Sequence, residues 1–169
     1  AADVSFQLID EYTVALPNAT KIEEVIMLNK DAVVQDYSSQ RVGEFLEDLK
    51  SEIESVKWNV WDCCAASGGK SIMAKDVLGE IDLTVSDVRE SILINLKKRF
   101  QEAGIRNYKS FIRDLSLHSP LTTRQSAFDL IIADVPCSGS GTWGRTPEQL
   151  SFFQSASIDT YCSLQKKII

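Results

Sequence analysis

A single histidine, His118, is all this chain offers, and its four cysteines, at 63, 64, 137 and 162, never fall into a CxxC spacing. Structural zinc sites are built from such pairs, so no metal site is expected. The thiols read as those of a reduced, cytoplasmic protein. No apolar run approaches the ~18 residues of a membrane span, and the N-terminus lacks a basic stretch followed by a hydrophobic one. A soluble, unexported protein is therefore expected. Positive charge is scarce too: 18 Lys plus Arg against 24 Asp plus Glu leave a net charge of −6. That argues against a dedicated basic nucleic-acid-binding module without excluding nucleic acid as a substrate. The local clusters Lys97, Lys98, Arg99 and Arg106, Lys109, Arg113 read as solvated faces. Repeats and low-complexity linkers are also missing.

What remains is 169 residues, 44% apolar, enough for one α/β domain with a sizeable core. Residues 1–55 read as a helical lead-in: a helix over Ala2 to Tyr12, an extended piece around Lys21 to Leu28, and a helix from Ser38 to Ser55. In that last helix Val42, Phe45, Leu46, Leu49 and Ile53 recur at helical steps. From residue 56 to 169 apolar strands alternate with helices, the pattern of a parallel sheet with crossovers. Strands are expected at Val56–Asp62, Ile81–Ser86, Tyr108–Ile112 and Ala127–Ala133. Helices are expected up to Leu78, over Val88–Ala103 with Gly104 as its stop, and over Pro147–Ile169 with Thr146 as cap.

Asp62, Asp87, Asp114 and Asp134 each fall at or just past the C-terminal end of one expected strand. Any one of them alone would be a turn residue or cap. Four in register, at the ends that border the ligand crevice of an open α/β sheet, point to a site. The stretch Asp62-Cys63-Cys64-Ala65-Ala66-Ser67-Gly68-Gly69-Lys70-Ser71 ends like a phosphate loop, but Cys64 stands where its first glycine belongs. Asp62 would also repel a polyphosphate. ATP or GTP binding is the rival reading. A dinucleotide fold would need Gly-x-Gly-x-x-Gly, and only Gly68-Gly69 is present. Asp87 at the end of the next strand can accept both hydroxyls of a ribose, so a cationic, phosphate-free adenosine ligand suits this acidic crevice. S-adenosylmethionine meets that description.

The stretches "DCCAASGGKS", "SDVRES", Arg113-Asp114, "DVPCSGSGTWGRTPE" and "VVQDYSSQRVGEFL" resemble, in order and spacing, the motifs of the NOL/NOP/Sun family of RNA cytosine-5 methyltransferases. The resemblance covers about residues 20 to 169. It implies a Rossmann-like class I methyltransferase fold, a mostly parallel sheet with helices on both faces. It also implies S-adenosylmethionine as cofactor and ribosomal or transfer RNA as substrate. Cys64, Ala65, Ala66, Ser67, Gly68, Gly69 and Lys70 would contact the cofactor, Asp87 its ribose and Asp114 its adenine. Asp134 would face both cofactor and target base. Ser67 stands where the family often has proline, at a cost only in loop rigidity.

Carbon 5 of cytosine is a poor nucleophile, so its methylation uses a thiolate that adds to carbon 6. A carboxyl such as Asp134 would stabilise the adduct, and a base must then remove the carbon 5 proton. The resemblance implicates the cysteine of Pro136-Cys137 in that release and places the attacking cysteine in a later Thr-Cys motif. Catalytic roles are thus expected for Cys137, Asp134 and Lys70. Lys70 would either pair with an acid such as Asp134 or contact substrate. Cys162 has helical surroundings and no expected part in catalysis. Cys63 and Cys64 read as packing residues. Trp143 and Arg145 are either RNA contacts or a packed ring and a surface cation, and His118 reads as a surface residue. A non-catalytic module that binds cofactor or RNA is the second function class, because the expected nucleophile and C-terminal strands are not found before Ile169. The Ala127–Ala133 strand would then offer an edge for self-association.

Overall fold

The computed structural model describes residues 4–17, 20–52, 57–117, 128–144 and 146–169. His118 and Arg145 lie outside the described residues, as do Ile53 and Ala127. Four parallel strands form the central sheet: β3 (Trp58–Asp62), β4 (Ile81–Asp87), β5 (Tyr108–Ile112) and β6 (Leu130–Ile132), in the order β5-β4-β3-β6. Val60 lies opposite Leu83 on one side and Leu130 on the other. The register therefore brings Asp62 and Asp87 to the same end of the sheet, with Asp114 and Asp134 each two residues beyond the last residue of its strand.

Helix α3 (Gly69–Leu78) joins β3 to β4, and α4 (Glu90–Glu102) joins β4 to β5. Their apolar faces, Ile72, Ala74 and Leu78 from α3 and Leu93, Leu96 and Phe100 from α4, share one buried cluster with Val60, Leu83, Val85 and Ile132. On the opposite strand face Trp61 stacks on Phe128 at 5.4 Å and lies 6.2 Å from Phe111. Helix α4 stops as expected at Gly104. At φ 74° this glycine lets the Ile105 N–H reach the Phe100 carbonyl (2.8 Å) and its own N–H reach that of Gln101 (3.2 Å). This is a Schellman closure.

The lead-in is where expectation and structure part. A helix is predicted over Ala2–Tyr12; Ala2 and Asp3 lie outside the described residues, and the rest belongs instead to a hairpin, β1 (Gln7–Leu8) against β2 (Val14–Ala15). Val4, Phe6 and Leu8 alternate with Ser5 and Gln7, a two-residue period. The Asp10 carboxylate accepts the Tyr12 N–H (2.9 Å), which turns the chain. The predicted extended piece at Lys21–Leu28 is a 3₁₀ turn, Ile22–Glu24. Its amides close local bonds such as Ile22 to the Thr20 carbonyl, and Leu28 forms an isolated bridge with Ala32. The helix from Ser38 appears as α1 (Tyr37–Gln40) and α2 (Val42–Glu52). Leu46 of α2 enters the main core, and Gly43 lies beside Met73 of α3.

The single helix expected over Pro147–Ile169 is two, α5 (Glu148–Phe152) and α6 (Ser157–Ile168). Phe153 is extended at ψ 131°, and its ring packs on Trp143 at 5.0 Å. Aromatic packing outweighs helix continuation there. Among the described residues no helix is long and apolar enough to cross a membrane.

Candidate active site

The loop between β3 and α3 is tied into the sheet by its own backbone. Cys63 N–H donates to the Ile132 carbonyl (3.0 Å), Ala65 N–H to that of Ser86 (2.9 Å), and Ser86 Oγ to that of Cys63 (3.0 Å). Ala66 N–H donates to Asp87 Oδ2 (3.0 Å), and Gly68 N–H returns to the Ala65 carbonyl (2.8 Å). Gly68 is at φ 84°, and a Cβ there would stand 2.6 Å from Cε1 of Phe100. Only glycine satisfies both the left-handed backbone and the close approach of α4. Because the amides of Ala65, Ala66 and Gly68 are consumed internally, the loop does not offer them as a cradle for phosphate.

A cleft of about 240 Å³ opens above this loop. Its lining joins Asp62, Cys64, Ala65, Ala66, Ser67, Gly69, Lys70 and Asp134 to Arg99 of α4 and to Val34, Gln35, Asp36 and Ser39 of the lead-in. Of the expected loop contacts only Gly68 does not line it. Asp87, Asp114 and Cys137 also lie outside the lining. The sequence reading missed Gln35 and Arg99. The signal for Gln35 was present, since it sits in the "VVQDYSSQ" stretch, whereas nothing in the sequence brought α4's Arg99 to the loop. Arg99 donates to the Ser67 carbonyl (3.1 Å), to Ser67 Oγ (2.8 Å) and to Asn29 Oδ1 (2.9 Å). These bonds pin Ser67.

Asp62 is 1% exposed. Its Oδ2 accepts Ser71 Oγ at 2.6 Å, while Oδ1 is buried with no hydrogen-bond partner. Burial pushes this carboxyl up to about 6, and the charge of Asp134 adds to the rise, against the lowering effect of Ser71, Lys70 and the Cys64 N–H. Asp87 is also buried, which alone would raise it. Hydrogen bonds from the Arg89 guanidinium and N–H and from Ala66 outweigh burial and lower it. Arg89 Nε lies 3.1 Å from Oδ1 and its NH2 3.4 Å from Oδ2.

Lys70 donates to Asp134 Oδ2 at 2.6 Å, so this lysine pairs with the acid. Among the described residues Asp134 Oδ1 has no such commitment. Asp114 closes a turn, accepting the N–H and Oγ of Ser116, which lowers its pKa. Cys137 is exposed, and its Sγ accepts the Gly139 N–H at 3.5 Å. Cys162 is an exposed residue of α6. Within the vicinal pair, the hydrogen bond between the thiols, with burial second, raises Cys63, and the same bond lowers Cys64.

A strand-end crevice edged by carboxylates, with a buried acceptor lacking a donor, is suited to a cationic ligand. The chain is 28% identical over 145 residues to ribosomal RNA small subunit methyltransferase B of Xanthomonas campestris pv. campestris, covering 82% of this chain and 30% of that protein. It is 28% identical over 137 residues to the enzyme of the same name from Salmonella paratyphi B, covering 80% and 30%. The chain thus spans about 30% of the length of these curated relatives. Among solved structures, PH0851 superposes with a TM-score of 0.80 at 21% identity, covering 98% of this chain and 37% of that one. NSun6 from Pyrococcus horikoshii with SFG gives 0.60 at 20% identity, covering 79% and 32%. These likenesses show a Rossmann-like fold. Over residues 49–169 the sequence matches the family model of the 16S rRNA methyltransferase RsmB/F, and the chain belongs to that family.

Proposed function

We propose that this chain is the cofactor-binding part of an S-adenosylmethionine-dependent RNA cytosine-C5 methyltransferase. One observation carries the reading: the unpartnered, buried Oδ1 of Asp62 in a cleft edged by strand-end carboxylates. A carboxylate so placed fits an ammonium or sulfonium ligand and is costly in a free cleft or beside a polyphosphate. When bound, S-adenosylmethionine supplies an activated methyl group on a cationic sulfur.

In this reading the chain's own residues bind and orient. The Cys64–Lys70 loop holds the cofactor. Asp87 accepts the ribose hydroxyls once the exposed Arg89 side chain swings away, and Asp114 lies beside the adenine. Lys70 takes one oxygen of Asp134, which leaves Oδ1 to accept a hydrogen bond from the amine of the target cytosine. Cys137, on the exposed loop that follows, receives the carbon 5 proton as a thiolate, and the C–H electron pair expels the thiolate bonded to carbon 6. RNA reaches the site by presenting an unpaired or flipped cytosine.

Two assays on one sample test this. Calorimetry should show binding of S-adenosylmethionine and none of ATP. Tritiated methyl transfer to bulk RNA tests turnover: binding without transfer supports a cofactor-binding module, turnover lost in Cys137→Ala with a trapped covalent RNA adduct supports the proton-accepting role, and loss with no adduct, kept in Cys162→Ala, makes Cys137 the attacking thiol. ATP binding without S-adenosylmethionine binding would sink the assignment.

A further inference from the structure

Gly69 has no backbone reason to be glycine. It opens α3, and unlike Gly68 it is not among the residues with positive φ. A Cβ at position 69 would stand 2.8 Å from Gln35 Nε2 and 3.7 Å from its Cδ, so the amide end of Gln35 rests against this glycine. With its nitrogen set against Gly69, the Gln35 amide buries its oxygen, and Oε1 has no hydrogen-bond partner. The backbone behind it is held: Gln40 Nε2 donates to the Gln35 carbonyl (3.1 Å), and Thr13 Oγ1 donates to Gln40 Oε1 (3.0 Å).

Gln35 Oε1 and Asp62 Oδ1 are the two buried side-chain polar atoms left without a partner among the described residues, and both side chains line the same cleft. Both are acceptors. The nearby cation Lys70 is already paired with Asp134. Two unfilled acceptors in one cleft complement a group that has several donors and no acceptor, and a primary ammonium is such a group.

We propose that Gln35 is a specificity-determining residue of the cofactor site: with Asp62 it seats the α-ammonium of S-adenosylmethionine and sets a preference for ligands that carry one. This rests on the cofactor reading above and adds to it a ligand from the lead-in.

Calorimetry on the full chain with S-adenosylhomocysteine, and with its desamino counterpart in which hydrogen replaces the amino group, isolates the contact. The wild type binds the amino ligand more tightly. Gln35→Leu lowers affinity for S-adenosylhomocysteine about tenfold, as expected for a lost hydrogen bond to a charged group, and leaves the desamino ligand unchanged. Gln35→Glu, which keeps an acceptor in place, keeps the preference. Equal losses on both ligands in Gln35→Leu, no loss on either, or loss of the preference in Gln35→Glu would each overturn the assignment. Failure of the wild type to bind S-adenosylmethionine or either analogue would instead bring down the cofactor reading beneath it.

Discussion

Asp62 holds the most consequential proton in the chain. Its carboxyl titrates at about 6 because it is buried, against about 3.9 when unfolded. The folded form therefore binds the proton more tightly. The stability this contributes is present in full below pH ~4 and is lost as pH rises through about 6. Asp62→Asn, neutral throughout, should flatten that part of a pH series of urea denaturations. A cationic ligand favours the ionised form, so affinity for S-adenosylmethionine should rise between about pH 5 and 7. Calorimetry near pH 6 in buffers of different ionisation enthalpy should then show proton release on binding, absent in Asp62→Asn. Ser71→Ala removes the one hydroxyl that solvates Oδ2, should cost roughly 1–3 kcal/mol by chemical denaturation, and should raise the Asp62 titration further. The sequence made Asp62 legible as a strand-end acid that repels phosphate. It could not show that the group is sealed from water and half of it left without a donor, because burial is a property of the packed neighbours.

At the scale of elements, two glycines that look alike in sequence do different work. Gly68 and Gly104 both have positive φ, at 84° and 74°. A Cβ at Gly104 meets nothing within 4 Å, whereas at Gly68 it meets the fully buried Phe100. Gly104→Ala should cost ~1 kcal/mol of backbone strain, and Gly68→Ala on the order of 3 kcal/mol, since overpacking adds to strain. Urea midpoints of the two variants decide the comparison. The strands and helices from Trp58 to Ile112 were readable within a few residues because apolar period, length and the Gly104 stop all agree there. The N-terminal hairpin and the break in the last helix were not. Short segments of mixed polarity support either period, and the choice fell to the Asp10 turn and to the packing of Phe153 on Trp143.

For the whole molecule, the lead-in and the sheet share one core through Leu46, and they share one cleft through Val34, Gln35, Asp36 and Ser39. Leu46→Ala should cost about 2–5 kcal/mol, measured by thermal unfolding, and should weaken cofactor binding as well, because α2 stands behind that wall. Circular dichroism and tryptophan fluorescence should follow one coincident transition; two separated transitions would show the lead-in folding apart from the sheet. The sequence by itself determined the parallel α/β plan, the positions of the strand-end carboxylates and the family, since these depend on local period and on ordered motifs. The tertiary structure alone decided which of those carboxylates share a cleft. It placed Gln35 against Gly69 and Arg99 on Ser67, and it left two buried acceptors on residues that line one cleft, because such contacts join residues far apart along the chain and carry no local period by which to be read.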